Sequence, residues 1–148
     1  MTERLNVLVV DDSVNMRMLL AGLLTAAGHH VVTASAAREA LRRLRVFRPD
    51  VVVTDYAMPG LSGYDLVRLL RRNPRFRTTP VFVVSSENSW EKHLLMEQAG
   101  ASAWLSKPVD PAALLGAIAA VGRMGRDLAR PPAGRPAMTT VSGTAAAA

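Results

Sequence analysis

Cysteine is absent from this chain. That excludes a disulfide framework and any thiolate metal site. It fits a reducing compartment, and the expected location is the cytoplasm. Aromatic residues are scarce, at 5%, and none is interleaved with the basic residues to stack nucleic-acid bases. No helix-turn-helix pattern is present, so direct DNA binding is not expected. No apolar run approaches the roughly 20 residues that a membrane helix requires. The start, Met1-Thr2-Glu3-Arg4-Leu5, carries an acid and leads straight into an apolar run, unlike a secretory signal. The three histidines, His29, His30 and His93, share no metal-ligand spacing and read as surface or turn residues.

What is present is a half-apolar chain (49% hydrophobic over 148 residues), enough for one domain with one sizeable core. The formal charge is +6. It is concentrated at Arg38, Arg42, Arg43, Arg45 and Arg48, and again at Arg68, Arg71, Arg72, Arg75 and Arg77. Both groups read as solvated helix faces.

Three short β-branched runs each end on polar groups. Val7–Val10 ends on Asp11 and Asp12. Val51–Thr54 ends on Asp55 and then breaks into Met58-Pro59-Gly60. Val81–Val84 ends on Ser85 and Ser86. Continuous apolar runs of this length suit strands buried on both faces of a parallel sheet. Between them lie helical patterns with capping signals. Ser13 caps a helix to about Ala27, stopped by Gly28. A short strand at 31–33 and a helix at 36–47 follow. Ser62 and Asp65 form a capping box for a helix over 63–72. Asn88 or Ser89 starts a helix to about Ala99, stopped by Gly100. A brief strand at 103–105 precedes Asp110-Pro111, which opens a last helix to about Gly122.

Strand–helix alternation five times over predicts an α/β fold, an open five-stranded parallel sheet with helices on both faces. Ligands in such sheets bind outside the carboxyl ends of the strands. Asp11, Asp12, Asp55, Ser85 and Lys107 all fall there. From about Gly125 the chain turns to Pro, Ala, Gly, Ser and Thr. Residues 1–124 are therefore expected to form the domain, and 125–148 a disordered tail.

Three converging carboxylates repel one another unless a cation sits among them. Hard oxygen ligands point to Mg²⁺. Lys107 suits a phosphoryl oxygen, and Ser85 adds a hydroxyl. Together they suit a phosphoryl group in transfer, where positioning and charge neutralisation dominate. Asp55, on the central strand, is the candidate nucleophile for an aspartyl-phosphate.

These pieces, in order, resemble the receiver domain of two-component response regulators over residues 5–122. They are Asp11-Asp12, Asp55-x-x-Met58-Pro59-Gly60-x-x-Gly63, Ser85, and Gly100-Ala-Ser-Ala-Trp104-Leu-Ser-Lys107-Pro108. The resemblance implies a flavodoxin-like strand order of 2-1-3-4-5. It implies that Asp55 takes a phosphoryl group from a histidine kinase or phosphotransfer protein. Asp12, Asp55 and the backbone carbonyl of Ala57 would hold Mg²⁺, with Asp11 acting mainly through water. Lys107 would pair with the phosphoryl oxygens, and Ser85 would move to bond them. Trp104, where Tyr or Phe is usual, would turn inward as Ser85 moves, unless it is plain core packing. The Lys107–Pro108 bond would be cis. The implied protein is a stand-alone phosphorylation switch rather than an enzyme. Its output would be contact with a target protein through the fourth helix, fifth strand and fifth helix.

Three rivals remain open on the sequence. One is a receiver that docks partners without phosphorylation. A second is an aspartyl-phosphate phosphatase, which usually needs a second acid two residues after the nucleophile. Ser13 and Ala57 stand at those positions. The third is a basic nucleic-acid-binding module.

Overall fold

The structure is a computed structural model. It describes residues 3–87, 89–127 and 139–141, with side chains only to Arg123 in the last helix. The elements alternate as β1 (Asn6–Val10), α1 (Val14–Ala26), β2 (His30–Ala34), α2 (Ala37–Arg43), β3 (Val51–Asp55), α3 (Gly63–Arg72), β4 (Val81–Ser85), α4 (Trp90–Ala99), β5 (Ala103–Ser106) and α5 (Pro111–Asp127). A short β6 (Thr139–Val141) follows. The sheet runs β2-β1-β3-β4-β5-β6, with every neighbouring pair parallel. The flavodoxin-like order 2-1-3-4-5 is thus present.

The strands sort their side chains by parity, as a pleated sheet must. Leu8, Val10, Val52, Val81, Val83 and Trp104 face one core, under α2, α3 and α4. Val7, Val9, Val51, Val53, Phe82, Val84 and Leu105 face the other, under α1 and α5. All of these residues are buried. Burying a side chain of this size contributes about 1.5–3 kcal/mol. With both faces covered, no polar alternation survives in β1, β3 or β4, and so those runs read as continuous in the sequence.

Capping follows the sequence closely. The Ser13 and Ser89 hydroxyls accept from the backbone N–H groups of Met16 and Lys92. Ser62 and Asp65 form the full capping box. Gly100 ends α4 in the left-handed conformation, at φ 107°. Lys107–Pro108 is cis. Asn88, the other expected cap for α4, lies outside the described residues.

Three boundaries differ from expectation. The second helix stops at Arg43 and continues only as turns to Val46. The last helix runs past Gly122 to Asp127, because 123–127 contains no proline to stop it. The expected disordered tail also contains a strand. Thr139-Thr140-Val141 is the one β-branched triplet of that stretch, and it pairs with the open edge of β5. The remainder of the tail lies outside the described residues.

Candidate functional site

The chain goes from β1 outward to β2, then returns to β3 on the other side of β1. Strand order therefore reverses between β1 and β3, and their carboxyl ends open a crevice there. Asp11 and Asp12 leave β1, and Asp55 ends β3. One oxygen from each of the three carboxylates lies within 4.8 Å of the others. Lys107, after β5, reaches the same cluster. Its Nζ lies 3.4 Å from Asp55 Oδ1 and 3.6 Å from Asp11 Oδ2.

The acids differ in environment. Asp11 is 1% exposed and Asp55 8%, whereas Asp12 is exposed. Asp11 is fixed from two sides. Its Oδ1 accepts from the backbone N–H of Ser13, and its carbonyl accepts from Arg17 Nη1. Its Oδ2 is buried with no hydrogen-bond donor. Burial pushes the Asp55 pKa up, repulsion from Asp11 pushes it further, and Lys107 opposes both. The cluster is short of positive charge, and all its free acceptors are hard oxygens. Its residues therefore fit a divalent cation of the Mg²⁺ type.

Ser85 is buried. Its Oγ accepts from the backbone N–H of Glu87 at 3.0 Å, which leaves the hydroxyl hydrogen to donate. Tyr56, next to Asp55, leads away from the site. Its ring lies 6.0 Å from Trp104 and carries Lys92 Nζ 5.3 Å from its centroid. Lys92 in turn pairs with Glu87. Trp104 is already inward, at 1% exposure, with His93 edge-on at 4.8 Å. Its Nε1 has no hydrogen-bond partner. The rotation implied by the resemblance would start from this buried position.

All the expected site residues lie on one rim of the sheet except Trp104, which sits behind it. Four features were not anticipated. Gly63 is needed for room: a Cβ there would stand 2.3 Å from the Asp55 carbonyl oxygen. His29 is buried rather than on a turn surface, with Nδ1 accepting from Leu5 N–H. His93 packs on Trp104. Arg71, expected on a solvated face, clamps three carbonyls, those of Gly100, Phe76 and Thr79. Only Gly63 had a signal in the sequence, as the last residue of the Met58-Pro59-Gly60-x-x-Gly63 turn.

An acidic crevice with a lysine at the switch point of this sheet is the arrangement expected of two-component receivers. The response regulator receiver domain model matches residues 7–119, and the chain belongs to that family. Over 129 residues the chain is 39% identical to the sensory/regulatory protein RpfC of Xanthomonas campestris pv. campestris. That match covers 86% of this chain but only 18% of RpfC. The protein PilG of Pseudomonas aeruginosa is 34% identical over 119 residues, covering 80% of this chain and 88% of PilG. The chemotaxis response regulator CheY4 of Vibrio cholerae superposes with a TM-score of 0.75 at 35% identity. The superposition covers 80% of this chain and 99% of CheY4. Among the described residues no helix is long and apolar enough to cross a membrane.

Proposed function

We propose that the chain is a phosphorylation-dependent switch whose phosphoacceptor is Asp55. The observation that carries this is the set of three clustered acids with Lys107 in ion-pair reach of two of them. In the transfer, an Asp55 carboxylate oxygen attacks the phosphorus of a donor phosphohistidine. The O–P bond forms as the N–P bond breaks, and the imidazole leaves with the electron pair. Lys107 neutralises charge on the phosphoryl oxygens, and Ser85 donates its free hydroxyl hydrogen to one of them. Asp11, Asp12, Asp55 and the Ala57 carbonyl would hold Mg²⁺, which when bound supplies charge neutralisation. The reaction is a single transfer followed by slow hydrolysis, since Ala57 stands where an aspartyl-phosphate phosphatase usually carries a second acid. The donor is a histidine kinase or phosphotransfer protein, working in the cytoplasm. The output is contact with a target protein over α4, β5 and α5.

An acyl phosphate with Mg²⁺ is expected to add one phosphoryl group, read by intact mass. Chelation of Mg²⁺ and Asp55→Asn should each abolish it. Equal labelling of the Asn variant would overturn the assignment.

A second reading is favoured by Trp104, whose indole is already buried, at 1% exposure. A receiver whose switch residue already points inward could dock its target unphosphorylated. Trp90→Phe leaves Trp104 as the only remaining indole. Under the first reading its emission shifts on adding beryllofluoride. Emission that stays unchanged while the mimic binds favours the second.

A further inference from the structure

An open groove of about 390 Å³ runs between α3 and α4. It is lined by Tyr64, Arg68, Arg71 and Arg72 of α3 and by Leu95, Gln98 and Ala99 of α4. None of these lining residues is acidic. The three guanidiniums stand at i, i+3 and i+4 on one helix, a spacing at which like charges repel by several tenths of a kcal/mol. Arg71 is engaged, because its fork already donates to the carbonyls of Gly100, Phe76 and Thr79. Arg68 and Arg72 are exposed and form no ion pair among the described residues. The acid nearest in sequence, Asp65, is held by the backbone N–H and hydroxyl of Ser62 in the capping box. Arg68 instead lies over the Tyr64 ring, 5.6 Å from its centroid.

Helix-dipole stabilisation accounts for a cation in the last turn, where Arg72 sits. It does not account for Arg68, a full turn earlier. The groove therefore holds two forked donors one helical turn apart, neither ion-paired among the described residues, beside an exposed leucine and an alanine. Leu94 and Leu95 are among the few large apolar side chains exposed on this molecule.

We propose that the α3–α4 groove is a docking site for an acidic, amphipathic segment of a partner protein. Carboxylates one helical turn apart on that segment meet Arg68 and Arg72 bidentately, while an apolar side chain rests on Leu95 and Ala99. The open shape suits a polymer lying along the groove better than a small anion, which would need enclosure on most sides. The leucine-bearing wall suits a peptide better than a nucleic-acid backbone. This site shares α4 with the α4–β5–α5 face but opens toward α3 instead of β5, and it requires no phosphoryl group on Asp55.

The test uses the full chain and a fluorescein-labelled synthetic peptide with Glu at i and i+4 and Leu between them. Fluorescence anisotropy is expected to show binding that weakens between about 50 and about 200 mM salt. The pair Arg68→Glu and Arg72→Glu should weaken it by about tenfold, since a reversed exposed pair turns a modest attraction into repulsion. The matched pair Arg38→Glu and Arg42→Glu, at the same spacing on α2, should change it by less than about twofold. Circular dichroism checks the fold. If the reversed pair unfolds, Arg68→Gln with Arg72→Gln replaces it and should still weaken binding severalfold. Absence of binding, or equal loss from the α2 pair, overturns the proposal. So does displacement of the peptide by an oligonucleotide of equal charge at lower concentration, which would assign the groove to nucleic acid.

Discussion

Replacing Gly63 by alanine adds one methyl group at the tightest point of the site. The residue's φ is not positive, so the backbone itself would accept any side chain. The obstacle is space. The new Cβ would stand 2.3 Å from the Asp55 carbonyl oxygen and 3.0 Å from Tyr56 Cα, both backbone atoms that cannot swing aside. Opening the first contact to even 3.0 Å requires a shift of roughly 0.7 Å between α3 and the end of β3. The bond from Gly63 N–H to the Tyr56 carbonyl, at 2.8 Å, resists that shift. Overpacking of this kind costs about 1–3 kcal/mol, which lowers Tm by roughly 3–10 °C in a domain of this size. The displaced atom belongs to Asp55, the proposed phosphoacceptor. Phosphorylation by an acyl phosphate should therefore slow by roughly tenfold to a hundredfold, because small misplacements of a reacting group are costly. Gly22→Ala makes the same chemical change inside α1, where nothing lies within 4 Å of the added carbon. There alanine should stabilise, by about 0.5–1 kcal/mol, through helix propensity. Thermal melts and intact-mass labelling of the two variants give opposite signs under this reasoning. A Gly63→Ala protein with unchanged Tm and unchanged labelling would refute it.

Asp55→Asn should raise the stability of the metal-free protein at neutral pH. Burial and Asp11 raise the carboxyl's pKa in the fold. The stabilising contribution of the neutral acid is thus complete below the unfolded value of about 3.9 and lost as pH climbs through the folded one. A chemical-denaturation midpoint at pH 7 that falls in the variant contradicts this. His29 has the opposite sign. Burial lowers its pKa, so stability should fall as pH drops below the unfolded value of about 6.5. His29→Gln keeps an acceptor for Leu5 N–H and should flatten the profile between pH 5 and 7.5, read from denaturation midpoints. Arg71→Lys should cost about 1.5–3 kcal/mol, because a compact ammonium, with all its donors on one atom, cannot reach the carbonyls that three separate guanidinium nitrogens span. A loss below about 0.5 kcal/mol in urea titration would count against the clamp.

The sequence disclosed most of the sheet because its strands are buried on both faces. Val7–Val10, Val51–Thr54 and Val81–Val84 had no other plausible state. The rim residues were legible for the same reason: each is the first polar group after such a run. What escaped was set by tertiary contact. The burial of His29 depends on β1 arriving to offer Leu5 N–H. The role of Arg71 depends on a loop and a helix end far along the chain. Trp104 could be placed on β5, but its inward setting depends on His93 from α4. The strand at Thr139–Val141 carries too few residues to outweigh the proline- and alanine-rich composition around it.

Arg71 has a mechanical consequence. It ties the carbonyl of Gly100, at the end of α4, to α3 and to the turn before β4. The other end of α4 is fastened through the surface pair of Lys92 and Glu87, two residues from Ser85. A helix pinned firmly at one end and lightly at the other is a lever. Any rearrangement that begins at Ser85 should swing the Trp90 end through the larger arc and leave Gly100 as the pivot.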